Sequence, residues 1–273
     1  MFNIYIESKP KRYRKKNIIM KKNIAIVTGA TGGIGREFVK LLLHENVDEI
    51  WSVARNMDKL NRLKEEFGEK IIPISGDLSR EQTFDLLRDM IQEQNPDITY
   101  LVNNAGGGRM GESSGFSQDE IESHITTHCT ATAVLCNLCL PYMQKGSHII
   151  NMASQSAFQP VPYINLYAAS KAFVRSYSRA LNVELRGTGI VCTVACPGWI
   201  KTELLETERN GKQVHFPAMA LAEDVAAHIL KDAKKGKDMS VYSTYVKFMH
   251  LLAKLFPHKL VMRSWLKQIK EYI

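Results

Sequence analysis

Three side chains that could together move a proton lie close to one another in the sequence: Ser154, Tyr167 and Lys171. Tyr167 and Lys171 are four residues apart, a spacing that places two side chains on one face of a helix. Ser154 follows the apolar run 148–152, which is typical of a buried strand. A serine at the carboxyl end of this strand could therefore face a tyrosine on the helix that comes next.

The chemistry of these residue types suits the interconversion of a carbonyl group and an alcohol. A phenol with a pKa near 10 is a poor acid–base catalyst at neutral pH. A nearby ammonium stabilises the phenolate, so we expect Lys171 to lower the pKa of Tyr167. Tyr167 could then give a proton to a carbonyl oxygen, which Ser154 could hydrogen-bond. Because Tyr-x3-Lys is common in helices, the assignment needs support from the rest of the chain.

The elements that must position these residues alternate between strand and helix. Apolar side chains at 173, 177, 181 and 185 recur every four residues and predict a helix over 163–187. Strands are predicted over 23–28, 49–54, 70–75, 98–103, 148–152, 190–196 and 239–242. Further helices are predicted up to His44 and over 57–67, 79–94, 117–144 and 223–235. This alternation predicts an α/β fold with a parallel sheet between two layers of helices.

A glycine-rich turn joins the first strand to the first helix. It reads Thr-Gly-Ala-Thr-Gly-Gly-Ile-Gly over 28–35. Glycines let the backbone approach a pyrophosphate, and the helix N-terminus offers N–H donors to it. The candidate dinucleotide-binding residues here are Thr28, Gly29, Thr31, Gly33, Ile34 and Gly35.

Together these motifs resemble the classical short-chain dehydrogenase/reductase family. The resemblance rests on Ser154, Tyr167, Lys171, the 28–35 turn and the Asn-Asn-Ala-Gly segment 103–106, in order from about Lys22 to Val241. It implies a doubly wound, Rossmann-type, seven-stranded parallel sheet in the order 3-2-1-4-5-6-7. It also implies that Lys171 and Tyr167 contact the nicotinamide ribose. Further cofactor contacts carried over from the family are Asp77, Leu78, Asn104, Ala105, Gly106, Pro197, Gly198, Ile200 and Thr202.

The end of the second strand bears on the choice of cofactor. Family members that prefer NAD usually place an acidic residue there to bind the ribose 2′-hydroxyl. Here the strand ends in Arg55, which could pair with a 2′-phosphate, so the sequence favours NADP(H) over NAD(H). Alternatively, Arg55 is a surface residue that caps the helix over 57–67. Asp77 has a similar alternative, because Asp77 or Ser79 could cap the helix over 79–94.

The chain departs from the family at one catalytic position. Relatives carry an asparagine thirteen residues before the proline that ends the fourth long helix. Pro141 places that position at His128. An imidazole can donate and accept a proton, so His128 could serve in the relay that the asparagine supports. Equally, it could fill the space and leave a slower relay.

Composition sets the broad class of the protein. The 273 residues suit one large domain over 20–242, and no apolar run is long enough for a transmembrane helix. Residues 1–19 predict a basic tail without the apolar core of a secretory signal. The formal charge of +8 is concentrated in 1–19 and 241–273, each at +5, so the remaining 221 residues sum to −2. A nucleic-acid partner is therefore not expected.

The five cysteines indicate a reducing compartment. They stand at 129, 136, 139, 192 and 196, and no second Cys/His pair completes a zinc site beside the Cys-x2-Cys spacing. Small buried thiols in a cytoplasmic protein are the favoured interpretation.

The segment 243–273 predicts a C-terminal helical extension with two open interpretations. Tyr245, Phe248, Met249, Leu252, Leu255 and Phe256 follow helical spacing and predict one apolar face, with Lys247, His250 and Lys254 mostly off it. A second helix is predicted over 260–273. The favoured interpretation is a cover over the substrate cleft. The alternative is a basic amphipathic contact with an anionic membrane surface.

These observations predict an NADP(H)-dependent oxidoreductase acting on a small apolar ketone, aldehyde or alcohol, such as a steroid-like or acyl-chain carbonyl. The alternative is a cofactor-binding sensor or scaffold without turnover, and dehydratase or epimerase chemistry is less favoured. A lid over 204–216 is expected, and the resemblance implies that helices 117–144 and 163–187 pair in a homodimer or homotetramer. Candidate cleft residues are Met110, Phe158, Val161, Pro162, Trp199 and Phe216.

Overall fold

Seven parallel strands form one sheet at the centre of the computed structural model, which describes residues 21–202, 208–209, 212–214 and 216–270. The predicted tail over 1–19 and most of the predicted lid over 204–216 lie outside these residues. The strands are β1 Asn23–Thr28, β2 Glu49–Ala54, β3 Ile71–Ser75, β4 Asp97–Asn103, β5 His148–Met152, β6 Val191–Ala195 and β7 Met239–Ser240. Their order is β7-β6-β5-β4-β1-β2-β3, which confirms the predicted doubly wound topology.

Helices cover both faces of this sheet. They are α1 Gly33–Leu42, α2 Met57–Phe67, α3 Glu81–Gln94, α4 Gln118–Ile125, α5 Ala131–Cys139, α6 Asn165–Glu184, α7 Ala222–Lys234, α8 Thr244–Leu255 and α9 His258–Ile269. One core lies under α1 and α7, around Phe38 and Val225. A second core lies under α3, α5 and α6, around Leu87 and Leu135. Strands buried on both faces explain the apolar run in β1, where residues 24–27 have no solvent exposure.

The helix predicted over 117–144 is divided in the structure. Ser117 and Glu120 form a capping box that starts α4. A π-helical turn, Thr126–Thr130, then separates α4 from α5, and the N–H of Ala131 donates to the oxygen of Thr126. The Thr132 hydroxyl donates to the main-chain oxygen of His128 at 2.8 Å, so this carbonyl oxygen inside the turn has a hydrogen-bond partner. Turns of this kind are frequent at functional sites, and this one turns His128 into the interior.

The two C-terminal helices exist, but the predicted apolar face of α8 is wrong. Val246 and Ala253 are the buried residues of this helix, and the His250 ring stacks on Phe158 at 3.8 Å between centroids. Phe248 and Leu255, which were expected to pack, are 56% and 68% exposed. Val246, His250 and Ala253 therefore form the inner face of α8, and Phe248 and Leu255 lie on the outer face.

Candidate active site

The carboxyl ends of β1, β4, β5 and β6 meet at one edge of the sheet, and the predicted catalytic residues gather there. Ser154 follows β5, and the next residue donates its N–H to the oxygen of Pro197 at 2.8 Å, after β6. Tyr167 and Lys171 lie on α6, which packs across β5 and β6. In open α/β sheets this edge is where ligands bind.

Lys171 is held by the strand beneath it. Its Nζ donates to the main-chain oxygen of Met152 at 2.7 Å, and only 5% of the residue is exposed. Nζ also lies 5.5 Å from the centroid of the Tyr167 ring. Burial lowers the pKa of Lys171 from 10.5 to about 8, because the charged form loses its hydration.

The expected effect of Lys171 on Tyr167 is not found, and this prediction is corrected. Burial raises the pKa of the Tyr167 hydroxyl, while its contact with the Ser154 hydroxyl acts in the opposite direction. The loss of hydration therefore outweighs the hydrogen bond with Ser154. The Lys171 ammonium is engaged with Met152 and lies over the ring of Tyr167, so it is poorly placed to stabilise the phenolate oxygen.

His128 lies beside Tyr167, at the position that the family pattern assigns to an asparagine. The two rings meet edge to face, with 5.7 Å between centroids and an interplanar angle of 88°. His128 Nε2 lies 3.0 Å from the oxygen of Gly107, so the neutral ring donates there and leaves Nδ1 as an acceptor. Nδ1 is buried and has no hydrogen-bond partner in the described chain. Burial lowers the pKa of His128 to about 2, so the ring stays neutral.

The segment 106–108 passes directly over these two rings. Gly106 has a φ of +132°, and a Cβ added there would lie 2.7 Å from Nδ1 of His128. A Cβ added at Gly108 would lie 3.1 Å from the Tyr167 ring. Side chains at either position would push the rings aside, so small residues are required here for packing.

Thr28 and Asn104 join the glycine-rich turn to the end of β4. The Thr28 hydroxyl donates to the oxygen of Val102 at 3.3 Å and accepts from the N–H groups of Asn104 and Ala105 at 2.9 and 3.0 Å. The Asn104 amide donates to the main-chain oxygens of Thr28 and Gly29. These bonds hold Gly29 in its left-handed conformation, with a φ of +64°. Thr28 and Asn104 therefore stabilise the backbone conformation of the glycine-rich turn.

The start of α1 has the features that a phosphate group requires. Gly32 begins the helix with no side-chain cap, and the first turn contains no acidic residue. A Cβ added at Gly32 would meet nothing within 4 Å, so space is open at this end. The N–H donors of the first turn are thus available to an anion. Thr202 lies next to this turn, 3.1 Å from where a Cβ of Gly33 would stand.

The remaining cofactor candidates divide into two groups. Ile34 and Leu78 are buried in the two cores, so any contact with a ligand would come from their backbone.

Arg55 is exposed at the end of β2, where its charge helps to lower the pKa of Asp77 against the opposing effect of burial. Asn56, and not Arg55, caps α2 by accepting from the N–H of Lys59 at 2.9 Å. Asp77 accepts from the N–H of Ser79 and so orders the turn before α3.

The candidate cleft residues are not all available to a ligand. Phe158 is buried, with His250 stacked on its ring and the Arg175 guanidinium 5.3 Å from the ring centroid. It belongs to the packing under α8, and its expected role as a cleft wall is wrong. Trp199 and Phe216 do lie together, with 4.8 Å between ring centroids. Pro162 is covered by α9, because Trp265 Nε1 donates to its oxygen at 2.9 Å.

Sequence reasoning missed two residues of this region. His124 stacks on His128, with 4.2 Å between centroids, and its own Nε2 is buried without a partner in the described chain. Its position four residues before His128 was a usable signal for a shared helix face. Asn151 accepts from Asn103 at 2.8 Å and donates to Ser178 at 2.9 Å, which ties β4, β5 and α6 together. An asparagine inside an apolar strand was the only hint of this network.

This fold and site define a class of protein: a Rossmann-type oxidoreductase that binds a nicotinamide nucleotide. A family model described as short chain dehydrogenase matches residues 23–213. The chain belongs to this family and is an NAD(P)-dependent oxidoreductase.

Known proteins agree with this assignment. An uncharacterized oxidoreductase of Staphylococcus aureus strain MRSA252 is 31% identical over 212 residues, which cover 76% of this chain and 90% of that protein. Mouse 17-beta-hydroxysteroid dehydrogenase type 3 is 32% identical over 194 residues, or 68% of this chain and 63% of that one. A short-chain dehydrogenase from Sphingobium yanoikuyae in complex with NADPH has the same fold, with a TM-score of 0.72 at 24% identity, covering 89% of this chain and 95% of that one.

Proposed function

We propose that this enzyme uses NADP(H) to interconvert an apolar ketone or aldehyde and its alcohol. The observation that carries the proposal is the meeting of Ser154, Tyr167 and Lys171 beside the glycine-rich turn. The first turn of α1 would bind the pyrophosphate, with Thr28 and Asn104 shaping the turn. The presence of Ser154, Tyr167 and Lys171 together argues against a sensor without turnover.

The side chains then have separate roles. The bound nicotinamide supplies or accepts the hydride. In the reductive direction Tyr167 donates its hydroxyl proton to the carbonyl oxygen, which becomes the alcohol oxygen, while Ser154 hydrogen-bonds the same oxygen. Burial raises the pKa of Tyr167, so its hydroxyl holds the proton that the reductive direction consumes. Lys171 would bind the nicotinamide ribose, and His128 would pass protons between this site and solvent.

The preference for NADP(H) and for an apolar substrate has separate support. Arg55 stands exposed at the end of β2, and the strand itself ends without the acidic residue that binds a ribose 2′-hydroxyl in place of a 2′-phosphate. Several solved structures of this fold are complexes with NADPH or NADP. The mouse relative is named for a hydroxysteroid, and Trp199 and Phe216 offer aromatic surface to a ligand of that kind.

A homo-oligomer and a cytoplasmic location complete the proposal. Ile125 on α4 and Phe173 and Val183 on α6 are 42%, 43% and 51% exposed, which supports pairing through these helices. Light scattering after gel filtration would measure the mass. The five cysteines are free, which suits a reducing compartment.

The test is turnover against a panel of substrates. Oxidation of NADPH and of NADH would be followed with steroid ketones, long-chain acyl carbonyls and sugar aldehydes. We expect turnover with NADPH and an apolar carbonyl, and lower kcat/KM for NADH and for the sugars. Tight NADPH binding without turnover of any carbonyl or alcohol would contradict the proposal and favour the sensor.

A further inference from the structure

We propose that α8 and α9 carry a binding surface for anionic lipid bilayers. We call it the C-terminal patch. Its apolar centre consists of Phe248, Leu251, Leu255, Phe256 and Leu260, and its basic border consists of Lys247, Lys254, Lys259, Arg263, Lys267 and Lys270.

The apolar centre is a dense cluster of exposed side chains. Twelve large apolar residues of the described chain are exposed, and five of them lie within 248–260. On α8, Phe248, Leu251 and Leu255 are three, four and seven residues apart and so share one face. Val246, His250 and Ala253 occupy the opposite face, which is packed against the domain. The exposure of the outer face is therefore a consequence of the way α8 docks.

The border of the patch has one sign of charge. Residues 241–270 contain six Lys or Arg and no Asp or Glu. All six of these cations are exposed, and none forms a salt bridge with a residue that the structure describes. By contrast, Arg179 on the neighbouring α6 is paired with Asp238. The cations of the patch are thus available to an anionic partner.

The combination of features points to a bilayer over other partners. A bilayer surface offers anionic headgroups above hydrocarbon, which matches cations around an apolar centre. Nucleic acid offers phosphates without the apolar layer. A second copy of the chain would bring the same positive charges to the contact. The described helices lack the length and apolar content to cross a membrane, so the patch would lie on its surface.

The patch lies on the elements that cover the catalytic region. α8 packs on the turn 155–158 that follows Ser154, and Trp265 of α9 donates to the oxygen of Pro162. Contact with a bilayer would therefore bring the substrate entrance close to apolar molecules that are dissolved in the bilayer. This last consequence rests on the proposed function, whereas bilayer binding itself does not.

The experiment is sedimentation of the full chain with vesicles, without cofactor or substrate. We expect it to pellet with vesicles of phosphatidylcholine and phosphatidylserine, to pellet much less with phosphatidylcholine alone, and to be released as salt is raised. A Phe248→Gln/Leu255→Gln variant should lower the partition coefficient by at least about tenfold. The matched control is Met57→Gln/Leu86→Gln, which removes two exposed apolar side chains from α2 and α3 and should bind like the parent.

A second pair of variants tests the charges. Lys247→Gln/Lys254→Gln should weaken binding and reduce its salt dependence, whereas Lys231→Gln/Lys235→Gln on the surface of α7 should not. Equal pelleting of the parent and both patch variants would assign any binding to another segment, such as the basic residues 1–19, and overturn the proposal. A patch variant that instead changes the mass of the oligomer would identify a second copy as the partner. Because NADPH turnover on a water-soluble carbonyl is measured separately, loss of vesicle binding cannot be confused with failure of the proposed function.

Discussion

The ammonium of Lys171 donates a hydrogen bond to the main-chain oxygen of Met152 at 2.7 Å. This bond joins α6 to the last residue of β5, two positions before Ser154. The partner of this buried ammonium is a neutral main-chain oxygen and not a carboxylate. The positive charge of Lys171 is therefore not balanced, and its burial costs free energy.

Stability should therefore depend on pH through Lys171. Folding lowers its pKa from 10.5 to about 8, so between these values the unfolded chain binds the extra proton. The contribution of Lys171 to the free energy of unfolding should rise with pH across this window. Urea unfolding of the parent and of Lys171→Met would be compared at pH 8 and pH 10. We expect the parent to gain about 2 kcal/mol relative to the variant, and an unchanged difference would contradict the lowered pKa.

Removal of the Tyr167 hydroxyl should abolish most turnover. Tyr167→Phe should lower kcat by about 10²–10⁴-fold, because the proton donor is lost while the ring keeps its packing against His128. NADPH binding and the melting temperature should stay close to those of the parent. Tyr163→Phe, just before the same helix, is the control. Turnover of Tyr167→Phe within about tenfold of the parent would remove this residue from the mechanism.

We expect His128 to act as a neutral group. If it passes protons, His128→Ala should lower kcat and His128→Asn should restore much of it. Because burial holds its pKa near 2, the ratio of parent to variant rates should not change between pH 6 and 9. Steady-state rates and melting temperatures of all three proteins would be measured together. Equal rates would make His128 a space-filling residue.

The charge of Arg55 should determine the preference between the two nucleotides. Arg55→Asp should weaken NADPH binding by roughly 1–3 kcal/mol, the range for a charge-assisted contact, and affect NADH much less. Arg62→Asp, an equally exposed change on α2, controls for the altered net charge. Fluorescence titration gives both dissociation constants. A parent enzyme that already prefers NADH would refute the assigned role of Arg55.

The Thr28 hydroxyl should support both the fold and the cofactor site. Thr28→Val leaves the N–H groups of Asn104 and Ala105 without their acceptor, at a cost of about 1–3 kcal/mol in the free energy of unfolding. Thr28→Ser keeps the hydroxyl and should lose much less. Urea unfolding measures the difference, and equal stability of the two variants would show that these bonds contribute little.

The sequence by itself determined the strands, the helices and the candidate catalytic set, and the family resemblance supplied the strand order. Local periodicity marks each strand and helix, because a strand buried on both faces must be apolar and an amphipathic helix repeats every three or four residues. The glycine-rich turn and the Ser154, Tyr167 and Lys171 spacing were equally visible, since each depends on residues that are near one another along the chain.

Only the tertiary structure decided which residues that are far apart in the sequence contact one another. The π-helical turn at His128, where the Thr132 hydroxyl donates to a main-chain oxygen, is not predicted by helical periodicity. The raised pKa of Tyr167 follows from burial, which outweighs the bond to Ser154. The bond between Lys171 and Met152 has a backbone acceptor and so no side-chain signal in the sequence. The outward face of α8 was decided in the same way. The sequence predicted one apolar face that includes Phe248 and Leu255, whereas the packing of Val246 and Ala253 against the domain left these two side chains in solvent.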